Sequence, residues 1–262
     1  MRTILFAILG FFFGALPATA LPSDCLAVAS LQPKVRPVAY TPAALEADQV
    51  KLTYIGHSSF IIESPGGIRV VTDYAGWAGG IIPDAVTMNR AHSSHFTSAP
   101  DPAIKHVLRG WNPEGGPAVH DVEIGDIRIR NVTTDIRGGM AGRIKDGNSI
   151  FIFEVAGLCI GHLGHLHHML GPEHAGLIGR LDIVMVPVDG GYTMGQAEML
   201  DVMRTLKARI VIPMHYFGPA TLGRFIGNLG KDFQLETAST PERIVSADTL
   251  PDAPFLLVLP GH

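Results

Sequence analysis

Arg90-Ala91-His92-Ser93-Ser94-His95 follows directly on Val86 to Asn89, a short run that reads as a buried strand. Two further segments repeat the arrangement. His162-Leu163-Gly164-His165-Leu166-His167-His168 follows the strand-like Leu158 to Gly161, and Met214-His215-Tyr216 follows Ile210-Val211-Ile212-Pro213. Imidazoles gathered at strand ends are how an α/β protein builds a metal site, because neutral imidazole is the commonest protein metal ligand. These segments point to a fold class and a chemistry together.

Working outward, Leu52 to Gly56, Ser59 to Glu63 and Ile68 to Thr72 read as short strands, with Ser64-Pro65-Gly66-Gly67 turning between the last two. Val119 to Ile124 and Ile127 to Val132 alternate around Gly125-Asp126, and Ser149 to Val155 pairs with Leu158 to Gly161 around Ala156-Gly157. The second half alternates strand and helix. Asp182 to Val188 and Arg209 to Pro213 are buried strands. A helix between them is predicted to run to about Lys207, capped by Thr193 with Gln196 as its box partner. A helix over Thr221 to Leu229 and strands at Glu242 to Val245 and Phe255 to Leu259 close the chain. β-rich halves with helices between strands predict a sheet sandwich flanked by helices, in one domain over 51–262.

The chain has 262 residues, 47% hydrophobic and 17% charged, which suits a large core and excludes disorder. Residues 1–20 read as a secretory signal peptide. Arg2 is the n-region, Ile4 to Leu16 is apolar, and Ala18-Thr19-Ala20 is a small-x-small cleavage site. The expectation is an exported protein, periplasmic or secreted, with residues 21–50 as a Pro- and Ala-rich tail. The formal charge is −4, and cleavage removes only Arg2 among the charged residues. No basic block exists, which argues against nucleic acid or an anionic membrane surface as partner and leaves a small-molecule substrate. An exported cysteine pair can close a disulfide. Because Cys25 falls in the tail and Cys159 in a strand, the expectation is a buried thiol and an unpaired partner.

The order of these elements resembles the metallo-β-lactamase superfamily, in the subgroup of lactonase-like and metal-dependent hydrolases. The resemblance covers roughly 51–262 and rests on six places: Ile55-Gly56-His57-Ser58-Ser59, Val70-Val71-Thr72-Asp73, Arg90 to His95, His162 to His165, Val186 to Lys207, and Val211 to Tyr216. It implies an αββα four-layer sandwich. It also implies a dinuclear site built from His-x-His-x-Asp-His, a His on a middle strand, a bridging Asp and a last His.

This chain departs from that pattern. Arg90 stands at the first His, Ser94 at the Asp and His165 at the bridging Asp, and Thr134-Asp135 falls near the middle-strand His. Arginine stays protonated and is no ligand, and two carboxylate charges are missing. Two divalent ions are then poorly compensated, whereas one remains feasible. The resemblance implies His95, His165 and His215 as three ligands of one zinc, with His92 as a fourth ligand or proton carrier. Asp135 is implied as a ligand or partner to a ligand, orienting the reacting water, and Arg90 as a fixed cationic donor to the developing oxyanion. His57 is read as either structural or substrate-contacting, Asp73 as an anchor for the loop of His92 and His95, and Asp189 to Tyr192 as pocket lining. Three functions stay open: a metal-dependent hydrolase of an ester, lactone or phosphodiester, a non-catalytic metal- or ligand-binding domain, and a metal-sequestering protein using the histidines of Gly161 to Met169.

Overall fold

The computed structural model describes residues 23–26, 45–231 and 233–261, with only the backbone described at Ala141. Residues 1–20, read above as a signal peptide, and most of the tail lie outside the described residues. Two sheets face each other. The first contains β1 (Gln49–Gly56), β2 (Ser59–Glu63), β3 (Arg69–Val71), β4 (Ala85–Met88) and β5 (His106–Arg109). The second contains β6 (Asp121–Ile124), β7 (Ile127–Arg137), β8 (Arg143–Val155), β9 (Leu158–His162), β10 (Ile183–Pro187) and β11 (Ile210–Met214). It also takes β12 (Gln234–Thr237) and β14 (Phe255–Val258), while β13 (Glu242–Ser246) returns to the first sheet. The orders are β13-β1-β2-β3-β4-β5 and β12-β14-β11-β10-β9-β8-β7-β6.

Alternation explains the layers. Leu52, Phe60, Ile62 and Val70 of the first sheet meet Ile129, Phe151, Phe153, Met185 and Ile212 of the second in the central core. The opposite face of the second sheet carries Ile150, Ile152, Val184 and Val211. It is covered by α1 (Pro172–Ile178), α2 (Gln196–Leu206) and α3 (Pro219–Asn228) through Ile178, Met199, Met203 and Phe225. β10 and β11 are buried along their whole length, as strands sandwiched on both faces must be. The outer face of the first sheet carries Ile55, Val71, Val86 and Met88. Loop residues Tyr74, Ala78 and Ile104 cover it, with no helix there among the described residues. The α/β sandwich holds, with loops supplying its fourth layer.

Two expectations change. Cys25 and Cys159 form a disulfide across 134 residues of sequence. The segment around Cys25 is no loose tail: Ser23 Oγ donates to Glu154 at 2.6 Å, and the Arg180 N–H donates to the Cys25 carbonyl at 2.9 Å. Helix α2 begins at Gln196 with Gly195 at its N-cap, not Thr193. The Thr193 hydroxyl is taken by Asp189 Oδ1 instead. β5, β12 and α1 were not anticipated. They are short, and α1 contains a glycine that weakens its helical pattern.

Candidate metal centre

Six side chains converge from the carboxyl ends of strands, where α/β folds place their ligands. His57 follows β1, Asp73 follows β3, His95 follows β4, His165 follows β9, Asp189 follows β10 and His215 follows β11. Three of them, His57, Asp73 and His215, hold φ of 52°, 43° and 55°. Such left-handed backbone is costly for a residue with a Cβ and persists where the surroundings fix it. The His57 carbonyl accepts the His215 N–H at 2.6 Å and the Tyr54 hydroxyl at 2.8 Å, tying two of these turns together.

His57, His95 and His215 each offer a ring nitrogen, and these atoms lie within 4.8 Å of one another. His95 Nε2 and His215 Nε2 are 3.1 Å apart. Ligands at about 2.0–2.1 Å around a tetrahedral zinc are roughly 3.3 Å apart, so the pair needs little adjustment. Each ring is backed by a carboxylate. Asp73 Oδ2 accepts from His95 Nδ1 at 2.6 Å, and Asp189 Oδ1 lies 3.1 Å from His215 Nδ1, close enough for an ion pair but not aligned as a hydrogen bond. A carboxylate on the far nitrogen turns the near one toward the ion and strengthens it as a ligand. The donor set therefore fits a divalent metal.

The carboxylates are themselves held. Burial works against ionising Asp73, but His95 and the Asn89 amide donating at 2.9 Å hold its pKa below the usual carboxylate range. Asp189 is likewise buried, yet His215, Thr193 and the N–H of Gly191 hold it low. Arg137 Nη2 donates to the carbonyls of Gly191, Tyr192 and Thr193 at 2.8, 2.8 and 2.6 Å, which fixes the loop carrying Asp189.

The structure brings some of the anticipated residues to this centre and others elsewhere. His95 and His215 are in it. His165 is buried beside it, its ring 4.8 Å from His95 and 4.9 Å from His215. His92 is exposed, with its ring 4.7 Å from that of His165. Partial desolvation and the neighbouring His95 lower its pKa. Asp135 is committed elsewhere: it pairs with Arg143 Nε at 2.5 Å and accepts the Asp146 N–H at 3.0 Å within the β7–β8 hairpin. Arg90 lies beyond the end of β4, in the loop that leads to His95. It is exposed and makes no hydrogen bond or ion pair with these imidazoles among the described residues. Asp135 is thus not placed for the role the sequence suggested.

His57 is the ligand candidate that the sequence left undecided. Its position at a strand end, like the other histidines, was the available signal. Burial, then His215 and His95, push its pKa down to about 4, which keeps it neutral. His162 is structural, with Nε2 2.7 Å from the Ser58 carbonyl and Nδ1 accepting the Gly164 N–H. Gly164 is required where it stands. At φ 58°, a Cβ there would lie 2.4 Å from both Asn148 Oδ1 and Asn89 Nδ2.

Residues 51–215 match the family model described as "Beta-lactamase superfamily domain". A UPF0173 metal-dependent hydrolase of Myxococcus xanthus is 26% identical over 204 residues, covering 67% of this chain and 73% of that protein. One from Pyrococcus furiosus is 29% identical over 196 residues, covering 64% and 84%. A metallo-beta-lactamase superfamily structure from Thermotoga maritima superposes with a TM-score of 0.59 at 26% identity, covering 81% of this chain and all of that one. With the sandwich and the strand-end histidines, the match over more than half its length shows that the chain belongs to the beta-lactamase superfamily, in its metallo-β-lactamase branch.

Proposed function

We propose that this protein is an exported hydrolase that holds one divalent metal, zinc, on His57, His95 and His215 and cleaves a small ester, lactone or phosphodiester. The observation that carries the reading is the set of three imidazoles within 4.8 Å, two of them backed by carboxylates. The names of the relatives support a metal-dependent hydrolase, and the Thermotoga neighbour is named for zinc dependence. When bound, such an ion supplies Lewis acidity and a water that ionises near neutrality.

The chain's own residues have distinct tasks in this reading. Asp73 and Asp189 orient His95 and His215. His92, neutral and exposed beside His165, accepts a proton from the attacking water. Tyr192 and Phe217 are 62% and 61% exposed, with ring centroids 5.4 Å apart. Phe217 lies against His57 and His215, and Tyr192 against His92, so the two present apolar walls to the non-reacting part of the substrate. Support for export comes from the leader-like residues 1–20 and from the disulfide, a bond that persists in oxidising compartments.

The commitment of Asp73 and Asp189 to histidines, with Asp135 held by Arg143, leaves none of these three carboxylates free as a base and favours a second reading, a metal-binding domain without turnover. Elemental analysis and zinc titration, followed by an esterase, lactonase and phosphodiesterase screen, separate the two. The expected result is one tightly held zinc, lost in His95→Ala and His215→Ala, with turnover that disappears alongside it. A zinc-loaded protein inert across the screen favours the second reading, and a protein that holds no zinc removes both.

A further inference from the structure

We infer that His165 acts as a fixed hydrogen-bond donor, through Nε2–H, to an oxygen of the reacting group, and is not a metal ligand. The inference rests on the hydrolytic reading above. It starts from an atom whose chemistry allows one role. The backbone N–H of Arg137 donates to His167 Nδ1 at 2.6 Å. A peptide nitrogen cannot accept, so His167 Nδ1 is bare and that ring carries its hydrogen on Nε2. His167 Nε2 lies 2.7 Å from His165 Nδ1. A protonated Nε2 has no lone pair with which to accept, so His165 Nδ1 is the acceptor of this contact and His165 carries its own hydrogen on Nε2.

The amide that starts this relay is anchored, because the Arg137 side chain donates to three carbonyls of the 191–193 loop. The receiving end is anchored too. The His165 N–H donates to Asn148 Oδ1 at 2.7 Å, and Gly164 before it tolerates no side chain. His165 Nε2 is buried without any partner, on a ring packed against those of His92, His95 and His215.

An orphan donor beside a candidate metal centre suits a group that arrives with developing negative charge, the arrangement of an oxyanion hole. To ligate a cation, Nε2 would have to shed its hydrogen, which means breaking the relay. The superfamily pattern places an anionic acceptor at this position. Histidine with this tautomer inverts the polarity, presenting a donor to the substrate in its place.

Nitrogen-15 NMR of the labelled protein reads the tautomer without any substrate. His165 Nε2 is expected to carry a proton in the zinc-free protein and to keep it after one equivalent of zinc. Inorganic phosphate, as a tetrahedral oxyanion, should then shift that N–H signal. A bare Nε2, a proton lost on zinc addition, or a signal unmoved by phosphate each overturns the assignment. In titrations, His165→Ala should hold zinc within about threefold of the unmodified protein yet bind phosphate roughly tenfold more weakly, with His165→Gln recovering most of that loss. A hundredfold loss of zinc affinity in His165→Ala makes His165 a ligand and overturns the inference while the hydrolytic reading stands. A protein that binds no zinc removes the hydrolytic reading, and the tautomer measured without metal still reports on His165 alone.

Discussion

Asp73 shows how much of the centre depends on single side chains. Its backbone is left-handed, its Oδ1 takes the Asn89 amide and its Oδ2 takes His95 Nδ1. Asp73→Asn keeps the shape and removes the charge that strengthens His95 as a ligand. Zinc affinity should fall about 10- to 100-fold, read by competition with a chelator. Unchanged affinity would mean that the carboxylate only props the ring. The sequence disclosed the order of His95, His165 and His215 because each follows an apolar strand. It did not disclose the partners. Asp73 was legible as an anchor for the loop of His95, but no local pattern announces that Asp135 is taken by Arg143 across a hairpin or that His57 turns inward.

At the scale of elements, apolar patterning located most strands because one or both faces of each are buried. It failed where polar groups compete for the backbone. Thr193 has the composition of a cap, yet Asp189 takes its hydroxyl and the N–H groups of Gly191, Tyr192 and Thr193, so α2 starts later. The other end of α2 offers a test. Lys207 is exposed and caps the helix at φ 54° and ψ 32°, a conformation glycine adopts without strain. Lys207→Gly should raise stability by about 0.5–1 kcal/mol in urea denaturation. A loss of stability would show that the lysine side chain contributes more than its backbone costs.

For the whole molecule, neutral buried histidines impose a pH dependence. His57 and His167 are lowered from 6.5 to about 4, the first mainly by burial with His215 beside it, the second by burial with Arg137. The unfolded chain takes up protons near pH 6.5, where the folded one does not. Stability of the metal-free protein should therefore be full above about pH 6.5 and decline as the pH falls toward 4. Urea midpoints measured across that window check the sign. A midpoint that rises on acidification would contradict the neutral state of these rings.

The Cys25–Cys159 disulfide also decides how the molecule would bear a mechanical load. Tension applied between Asp24 and Gly261 passes directly from Cys25 to the start of β9. The intervening 134-residue separation, which includes all of β1 to β8, lies off the line of force. Only the stretch beyond Cys159 can be drawn out while the bond is intact. Reduction releases a hidden length of about 440–480 Å at roughly 3.3–3.6 Å per residue. Until then the turns bearing His57, Asp73 and His95 are shielded from the pull, while those of His165 and His215 are exposed to it, so stretching would split the imidazole cluster along the boundary this one bond defines.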